Sequence, residues 1–154
     1  MKIVIAAVGR LKEHHYRDAA AEYLKRLGPY ASLETVEVAD IDLAPGEERA
    51  RRIEGESLAK ALPADAYVIA LDSEGLQYSS EEFSRHLAEM MHSGLSSVAF
   101  VIGGSAGLDR SVLDRAHERL SLGRMTLPHQ LARVVLLEQV YRAFRIMRHE
   151  PYHR

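Results

Sequence analysis

The sequence contains no cysteine, and this absence narrows the chemistry open to the protein. Disulfides, thiolate nucleophiles and zinc sites of the cysteine type are all excluded. Such a composition fits a cytoplasmic protein, and the cytoplasm is the location we expect. Long hydrophobic runs are missing too, since no stretch approaches the roughly 20 apolar residues of a membrane-spanning helix. The short apolar run at 2–8 predicts a β-strand rather than a signal peptide.

A large excess of charge of either sign is also missing. The 154 residues include 20 lysines and arginines and 22 aspartates and glutamates, for a formal net charge of −2. This balance argues against a generally basic nucleic-acid-binding protein, although it leaves room for a local basic patch. The histidines show no metal-ligand spacing, so we predict no metal site. The length fits one domain with a substantial core, which we predict to span 1–154.

Short apolar runs alternate with amphipathic segments along the chain. The apolar runs predict strands at 2–8, 33–38, 67–71, 98–102 and 120–125. Apolar residues with the helical period predict helices at 16–27, 45–62, 79–92, 109–119 and 130–148. The third apolar run is hydrophobic almost throughout, as in a parallel strand buried on both faces. The sequence therefore predicts an α/β/α sandwich with a mainly parallel sheet.

A glycine-rich turn follows the fourth predicted strand. It reads Gly103-Gly104-Ser105-Ala106-Gly107 and matches G-x-S-x-G, the turn that carries the nucleophile of many serine hydrolases. Such a hydrolase needs an acid on a later strand and then a histidine. The next aspartates, Asp109 and Asp114, instead lie in the helix predicted directly after the turn. The pattern therefore favours a structural turn over a nucleophile at Ser105.

Glycine-bearing segments follow three of the predicted strands, at 71–75, 103–107 and 121–128. In a parallel sheet the carboxyl ends of the strands share one edge, and ligands bind there. Glycine allows the backbone to approach a ligand closely and to present N–H donors. None of these segments contains a lysine, which disfavours a phosphate loop of the Walker type. Together they predict a pocket that recognises a small cofactor through backbone groups.

The segment from 129 onward combines an apolar stripe with arginines. The stripe predicts a core-packing helix, wide enough to bury part of its surface against a second chain. Arginines outnumber acids here and form a local basic surface, and a solvated face with a Glu138–Arg142 pair is the alternative. The arginines are Arg133, Arg142, Arg145, Arg148 and Arg154. We place Arg142, Arg145 and His149 on one helical face.

The last four residues, Pro151-Tyr152-His153-Arg154, are unusual for a frayed terminus. Tyr152 is able to stack on a base, Arg154 to bind phosphate, and His153 to exchange a proton near neutral pH. These residue types are the ones that a site for RNA modification needs.

Several segments also follow one known pattern. They are Val8–Lys12, Glu22–Leu27, Leu71-Asp72, Val101–Leu108, Met125–His129, Glu138-Gln139, Tyr141–Ala143 and Pro151–His153. Together they resemble the ribosomal RNA large subunit methyltransferase H family, within the SPOUT superfamily of knotted methyltransferases. The resemblance covers essentially the whole chain and is most specific at the C-terminal end. One departure is Leu76, which stands where the family leads us to expect a lysine.

The resemblance implies a trefoil knot in the C-terminal half of the fold and an obligate homodimer. It implies that S-adenosylmethionine is held in the knot, and that N3 of a pseudouridine in 23S rRNA of the assembled ribosome is methylated. The cofactor contacts implied by position are Leu71, Gly103, Leu122, Gly123, Arg124, Met125, Thr126 and Leu127. Under this reading the turn at 103–107 belongs to the cofactor site.

Methylation at N3 also requires a base for one proton. Our first candidate is His153 and our second is His129, while Arg154 and Arg142 would stabilise the base anion or grip phosphate. Tyr152 would stack on the flipped base, and the tail would reach the cofactor site of a partner chain. The alternatives are a non-enzymatic ribosome- or RNA-binding protein and, third, a small hydrolase.

Overall fold

Five parallel strands form the sheet that the apolar runs predict. The structure is a computed structural model and describes residues 1–152. Its strands are β1 (Lys2–Val8), β2 (Ser32–Val38), β3 (Tyr67–Gln77), β4 (Ser97–Ile102) and β5 (Glu118–Ser121). Its helices are α1 (His14–Leu27), α2 (Glu47–Ala61), α3 (Ser80–His92), α4 (Arg110–Arg115) and α5 (His129–Met147). The strand order is β2-β1-β4-β3-β5, and the paired strands all run parallel.

The central strands β1 and β4 are buried on both faces and feed two separate cores. Ile5 of β1 and Phe100 of β4 pack in the core beneath α1, α3 and α5. Val4 of β1 and Val101 of β4 point the other way, into the core beneath α2 and α4. Because both faces are covered, these strands are apolar at almost every position. The predicted α/β/α sandwich with a parallel sheet is confirmed.

Local chemistry sets the start of α3. The Ser79 Oγ accepts from the backbone N–H of Glu82 at 3.1 Å, and the Glu82 carboxylate accepts from the backbone N–H of Ser79 at 2.7 Å. This reciprocal capping box satisfies two donors that the first helical turn would otherwise leave unpaired. The helix start predicted at the serines of this segment is therefore confirmed.

β3 is longer than the sequence predicts. It extends to Gln77 instead of ending at Leu71, and its register against β5 shifts between Leu71 and Leu76. A Cβ at Gly75 would lie 2.6 Å from the Arg119 carbonyl carbon, so glycine is needed where the two strands approach most closely. The predicted loop after Leu71 is therefore an irregular segment inside a longer strand.

β5 also differs from the prediction, because it begins at Glu118 and stops four residues before the predicted end at 125. α4 correspondingly ends at Arg115 rather than at 119. The backbone N–H of His117 donates to the Val68 carbonyl, and its Nδ1 accepts from the Val68 N–H, both at 2.9 Å. The Glu118 carboxylate lies 2.6 Å from His86 Nε2. These tertiary contacts draw polar residues into the sheet.

The C-terminal helix ends one residue earlier than predicted. α5 stops at Met147, and His149 has a φ of 54°, in the left-handed region. The Glu150 N–H then donates to the Arg145 carbonyl at 2.9 Å and folds the chain back on the helix. The prediction that His149 shares a helical face with Arg142 and Arg145 is wrong.

The sequence analysis also made predictions about membrane spans, metal sites, a knot and domain number. Within residues 1–152, no helix is long and apolar enough to span a membrane. The same residues contain no group of three or more His, Asp or Glu side chains placed to hold a metal ion. The trefoil knot and the single domain over 1–154 stay predictions.

Candidate functional site

A cavity of about 240 Å³ opens at the carboxyl edge of the sheet. Its walls come from the irregular middle of β3, from the segments after β4 and β5, and from the first turn of α5. These three strands are neighbours in the sheet, so their carboxyl ends lie side by side. The predicted convergence of the three glycine-bearing segments is confirmed. We call this space the edge cavity.

The turn after β4 is shaped by its glycines. A Cβ at Gly103 would lie 2.7 Å from the carbonyl carbon of Gly107, closer than real side chains come. The Gly107 N–H donates to the Gly104 carbonyl at 3.0 Å, and Gly107 has a φ of +82°. Ser105 is exposed at the tip of the turn and does not line the edge cavity. The turn is therefore built to bring backbone, rather than the Ser105 hydroxyl, to the cavity.

The segment after β5 is held by a local contact of Ser121. Its hydroxyl accepts from the Gly123 N–H at 3.2 Å and donates to the Gly123 carbonyl at 3.0 Å. No atom lies within 4 Å of a Cβ built on Gly107 or Gly123, although both glycines line the cavity. Bare backbone therefore faces the open space on two sides.

Side chains give the edge cavity an apolar wall and one acidic group. Leu71, Leu122 and Leu127 contribute apolar surface, and the Asp72 carboxylate lies 3.6 Å from the Arg119 guanidinium. A small molecule with an apolar body and a cationic group would match these walls. The residues thus fit S-adenosylmethionine, the cofactor that the family resemblance implies.

Seven of the eight residues implied as cofactor contacts line the edge cavity. The exception is Arg124, which is exposed on the same segment. The cavity also has walls from Leu120, Ser121 and Ala132, which were not predicted as contacts. Ser121 does fall in the segment 121–128 predicted to border the pocket, whereas Leu120 was assigned to the strand. Ala132 lies one helical turn after His129, a spacing that the predicted helix already implied.

The predicted catalytic residues fall in two places. His129 is the first residue of α5 and lines the edge cavity. Arg142 lies 13 residues further along the same helix, about 20 Å along its axis at 1.5 Å per residue. Tyr152 packs beside Arg142, and the remaining candidates, His153 and Arg154, lie outside the described residues. Within residues 1–152, Arg142 and Tyr152 of one chain therefore lie far from the edge cavity of that chain.

A charged cluster surrounds Glu138 in the middle of α5. Its carboxylate accepts from Arg142 Nη2 at 2.5 Å and from the Tyr152 hydroxyl at 2.8 Å. The Arg142 guanidinium lies 4.1 Å from the centre of the Tyr152 ring. Burial raises the pKa of Tyr152, and the Glu138 carboxylate raises it further, so the phenol remains a donor. We call these residues, with Gln139, the Glu138 cluster.

Other arginines of the predicted basic surface are engaged as well. The Arg145 guanidinium binds Glu150 and donates to the Tyr30 hydroxyl at 3.1 Å. Arg148 lies 4.6 Å from the centre of the Tyr30 ring. The Glu138–Arg142 pair, given as the alternative to a free basic surface, is therefore present in the structure.

A buried carboxyl group supports the edge of the sheet from the opposite layer. Glu54 on α2 is 2% exposed, and its Oε2 accepts from the Ile41 N–H at 3.0 Å. Burial raises the pKa of Glu54, and the Asp40 carboxylate raises it further. Asp40 in turn lies against Gly9 and Gly104, with its Cβ 3.5 Å from a Cβ built on Gly9. The group therefore stands directly behind the turn after β4.

The fold and the edge cavity define a class, parallel α/β proteins that bind a small ligand at the carboxyl edge of the sheet. The family described as "Predicted SPOUT methyltransferase" matches residues 1–153. A protein of Carboxydothermus hydrogenoformans named "Ribosomal RNA large subunit methyltransferase H" is 50% identical over 159 aligned positions, with 100% of both chains covered. Relatives of the same name are 51% identical in Listeria monocytogenes serotype 4a and 48% identical in Lysinibacillus sphaericus, again over both whole chains.

The chain therefore belongs to the SPOUT methyltransferase family, and within it to the group of ribosomal RNA large subunit methyltransferases H. A solved structure, "The structure of a probable methylase family protein from Haemophilus influenzae Rd KW20", is 15% identical with a TM-score of 0.48. That match covers 99% of this chain and 70% of the other, and it is too distant to carry a further conclusion.

Proposed function

We propose that the protein transfers a methyl group from S-adenosylmethionine to N3 of a pseudouridine in 23S rRNA of the assembled ribosome, in the cytoplasm. The observation that carries this proposal is the edge cavity, which combines glycine backbone with apolar side chains in a chain that matches the SPOUT family over residues 1–153. The names of the relatives supply the ribosomal RNA substrate.

The residues of the edge cavity would hold the cofactor mainly through backbone. Gly103, Gly107 and Gly123 offer close approach without side chains, and Leu71 and Leu127 offer apolar contact. When bound, the cofactor supplies a methyl group that its sulfonium charge already activates. The protein then has two tasks, which are to orient the target base and to manage its proton. Orientation contributes the larger part, up to roughly 7–11 kcal/mol for well-aligned reactants.

The proton at N3 needs an acceptor close to the methyl group. His129 lines the edge cavity, which supports it as the acceptor, and His153 is the other candidate. A histidine has an ordinary pKa near 6.5, and general-base catalysis typically contributes about 10²–10⁴-fold. Arg142 and Arg154 would stabilise the negative charge that develops on the base.

A second copy of the chain would bring Arg142 and Tyr152 of one chain close to the edge cavity of the other. The outer face of α5 carries half-buried side chains at helical spacing, namely Leu131, Val135, Gln139, Arg142 and Ile146. If two copies pair antiparallel along this face, the C-terminal end of α5 in one chain lies against the N-terminal end of α5 in the other. The C-terminal half of α5 of one chain, which carries Arg142, then faces the N-terminal half of α5 of its partner, on the side of the edge cavity. We therefore propose a homodimer with two composite sites.

Titration calorimetry with S-adenosylmethionine and transfer of a labelled methyl group to 23S rRNA in ribosomes test this proposal. We expect micromolar binding with one cofactor per chain, label in the rRNA, and a dimer by sedimentation equilibrium. A Ser105→Ala variant serves as control and should match the wild type, because Ser105 is outside the cavity. Ribosome binding without cofactor binding or methyl transfer would contradict the proposal and support an RNA-binding protein.

A further inference from the structure

A second and larger cavity, of about 670 Å³, lies between α1, α5 and the strands β1 and β2. Its floor is apolar, with Ile5, Leu11 and Leu137, and its rim is cationic. The space exists because α1 presents the small side chains Ala20 and Ala21 toward the sheet at this point. We call it the basic cavity.

The rim of the basic cavity carries an excess of positive charge. Arg10, Lys12 and Arg17 line it and are exposed, and among residues 1–152 none of the three lies within ion-pair distance of a carboxylate. Arg17 Nη1 donates to the Lys12 carbonyl at 3.0 Å, which keeps these two residues together. The neighbouring acids Glu13 and Asp18 do not line the cavity. Three unneutralised cations thus meet at one opening in a chain of net charge −2.

A buried arginine also lines the basic cavity. Arg133 is 3% exposed, and its Nη1 and Nη2 bind the Glu37 carboxylate at 2.5 Å and the Gly9 carbonyl at 2.8 Å. Glu37, the carboxylate that lines this cavity in the described chain, is therefore neutralised. The Arg133 Nε–H has no acceptor within residues 1–152. A buried guanidinium donor without an acceptor is costly, so this part of the cavity wall carries an unsatisfied positive group.

The basic cavity adjoins the edge cavity across one helix. Ala132 lines the edge cavity, and the next residue, Arg133, lines the basic cavity. An α-helix with its side chains is about 10–12 Å across, a distance that a few nucleotides of a single strand can cover. We propose that the basic cavity binds the phosphodiester backbone of the substrate RNA close to the nucleotide that enters the edge cavity. This inference rests on the proposed function.

The arrangement favours an RNA chain over a free mononucleotide. Its three unpaired cations stand at the open rim, where they can meet successive phosphates, rather than converging on one enclosed point. Arginine and lysine contacts to phosphate position an RNA without reading its sequence. The structure thus assigns affinity and register to the basic cavity, and target choice to other parts of the site.

The test compares two triple variants with the same change of charge. Arg10→Gln, Lys12→Gln and Arg17→Gln remove the cations of the rim, and Arg49→Gln, Arg52→Gln and Lys60→Gln remove two arginines and one lysine from the opposite layer. Binding of a 20-nucleotide mixed-sequence RNA is measured against salt concentration, with uridine monophosphate as competitor. An Ala21→Trp variant fills the basic cavity without changing charge. Each protein is also titrated with S-adenosylmethionine.

We expect the rim variant to lower the slope of log K against log salt by about 2, at roughly 0.7 per phosphate contact of a single strand. The control variant of Arg49, Arg52 and Lys60 on α2 should keep the wild-type slope. Ala21→Trp should weaken RNA binding. All variants should bind S-adenosylmethionine with wild-type affinity. Equal losses in both triple variants would overturn the proposal in favour of general electrostatics. Saturable nucleotide binding that only the rim variant loses, with RNA binding intact, would overturn it in favour of a small ligand. If the wild type binds RNA in this way without binding cofactor, the proposed function fails and the RNA site stands.

Discussion

The edge cavity and the Glu138 cluster differ in what forms them: mainly backbone in the first, and side chains in the second. At the edge, glycine backbone forms the walls, with a φ of +82° at Gly107 and +138° at Gly123. In the Glu138 cluster, charged and polar side chains satisfy one another around Glu138, through Arg142 and Tyr152. The edge is thus complete within one chain, because its geometry is set by backbone. The Glu138 cluster has to exchange partners before it can act on another molecule.

This difference separates the tasks of the two regions. A rigid backbone cradle suits a cofactor that every turnover requires, since little ordering is needed on binding. Ion pairs at a surface are weak and exchange readily, which suits contact with a substrate that comes and goes. Variants that damage one region should therefore leave the task of the other nearly intact.

The largest effect is expected from Gly103→Val. Its Cβ would meet the Gly107 carbonyl carbon at 2.7 Å, so the turn after β4 must shift and the edge cavity must change shape. A displacement of about 1 Å at a positioning site costs roughly 100-fold, and we expect at least that loss in affinity for S-adenosylmethionine by calorimetry. Ser105→Ala, in the same turn, is the control. Wild-type cofactor affinity in Gly103→Val would contradict a backbone-built site.

The next effect is expected from Arg142→Ala, which should lower methyl transfer by roughly 100-fold, as removal of one charge-stabilising donor does. Cofactor affinity should stay at the wild-type value, because Arg142 is remote from the edge cavity of its own chain. The Arg110→Ala variant removes a comparable pair, with Asp114 at i,i+4, from the surface of α4 and should be fully active.

A mixture of the two defective variants sharpens the comparison. If Gly103→Val and Arg142→Ala chains exchange freely, half of the dimers carry one chain of each kind. A composite site is then intact in one of the two positions, so the mixture should recover about a quarter of wild-type methyl transfer. A site contained within one chain would recover nothing, and an assay of the mixture after subunit exchange distinguishes the two.

The smallest effect concerns Glu54, behind the carboxyl edge. Its folded-state pKa is raised by burial, so stability from this group is fully present below the unfolded value of 4.5 and is lost as pH rises through the folded value. Glu54→Gln mimics the protonated acid and should raise the free energy of unfolding at pH 8 by about 1 kcal/mol. Urea denaturation across pH 4.5–8 measures this, with exposed Glu56→Gln as control. If Glu54→Gln raises the free energy of unfolding equally at pH 4.5 and pH 8, ionisation of Glu54 is not the cause.

Sequence patterns predicted the parts of the fold in which each residue follows its local environment. The apolar runs of β1 and β4 are long because both faces are buried, and Ser79 caps α3 through a contact three residues away. The bounds of β5 were missed because Glu118 is charged. Its place in the sheet depends on His86 and Tyr78, which are distant in the sequence.

Of the two cavities, the sequence predicted one and missed the other. The glycine-bearing segments predicted the edge cavity, because parallel strands bring their carboxyl ends to one edge. Gly75 itself packs against β5 and does not line the cavity. The basic cavity was not predicted. Arg10 and Lys12 follow β1, Arg17 lies on α1 and Arg133 lies on α5, and no single stretch shows the cluster.

By itself, the sequence determined the class of fold, the strand-end glycines and the family of the protein, because these depend on local backbone chemistry and on the order of apolar runs. Apart from pairs one helical turn apart, such as Glu138–Arg142, the tertiary structure decided which charges are paired. Arg133 finds Glu37, Arg145 finds Glu150, and the cations around Arg17 find no carboxylate in the described chain. The physical reason is that an ion pair depends on distance in space, and packing of helices on the sheet sets that distance.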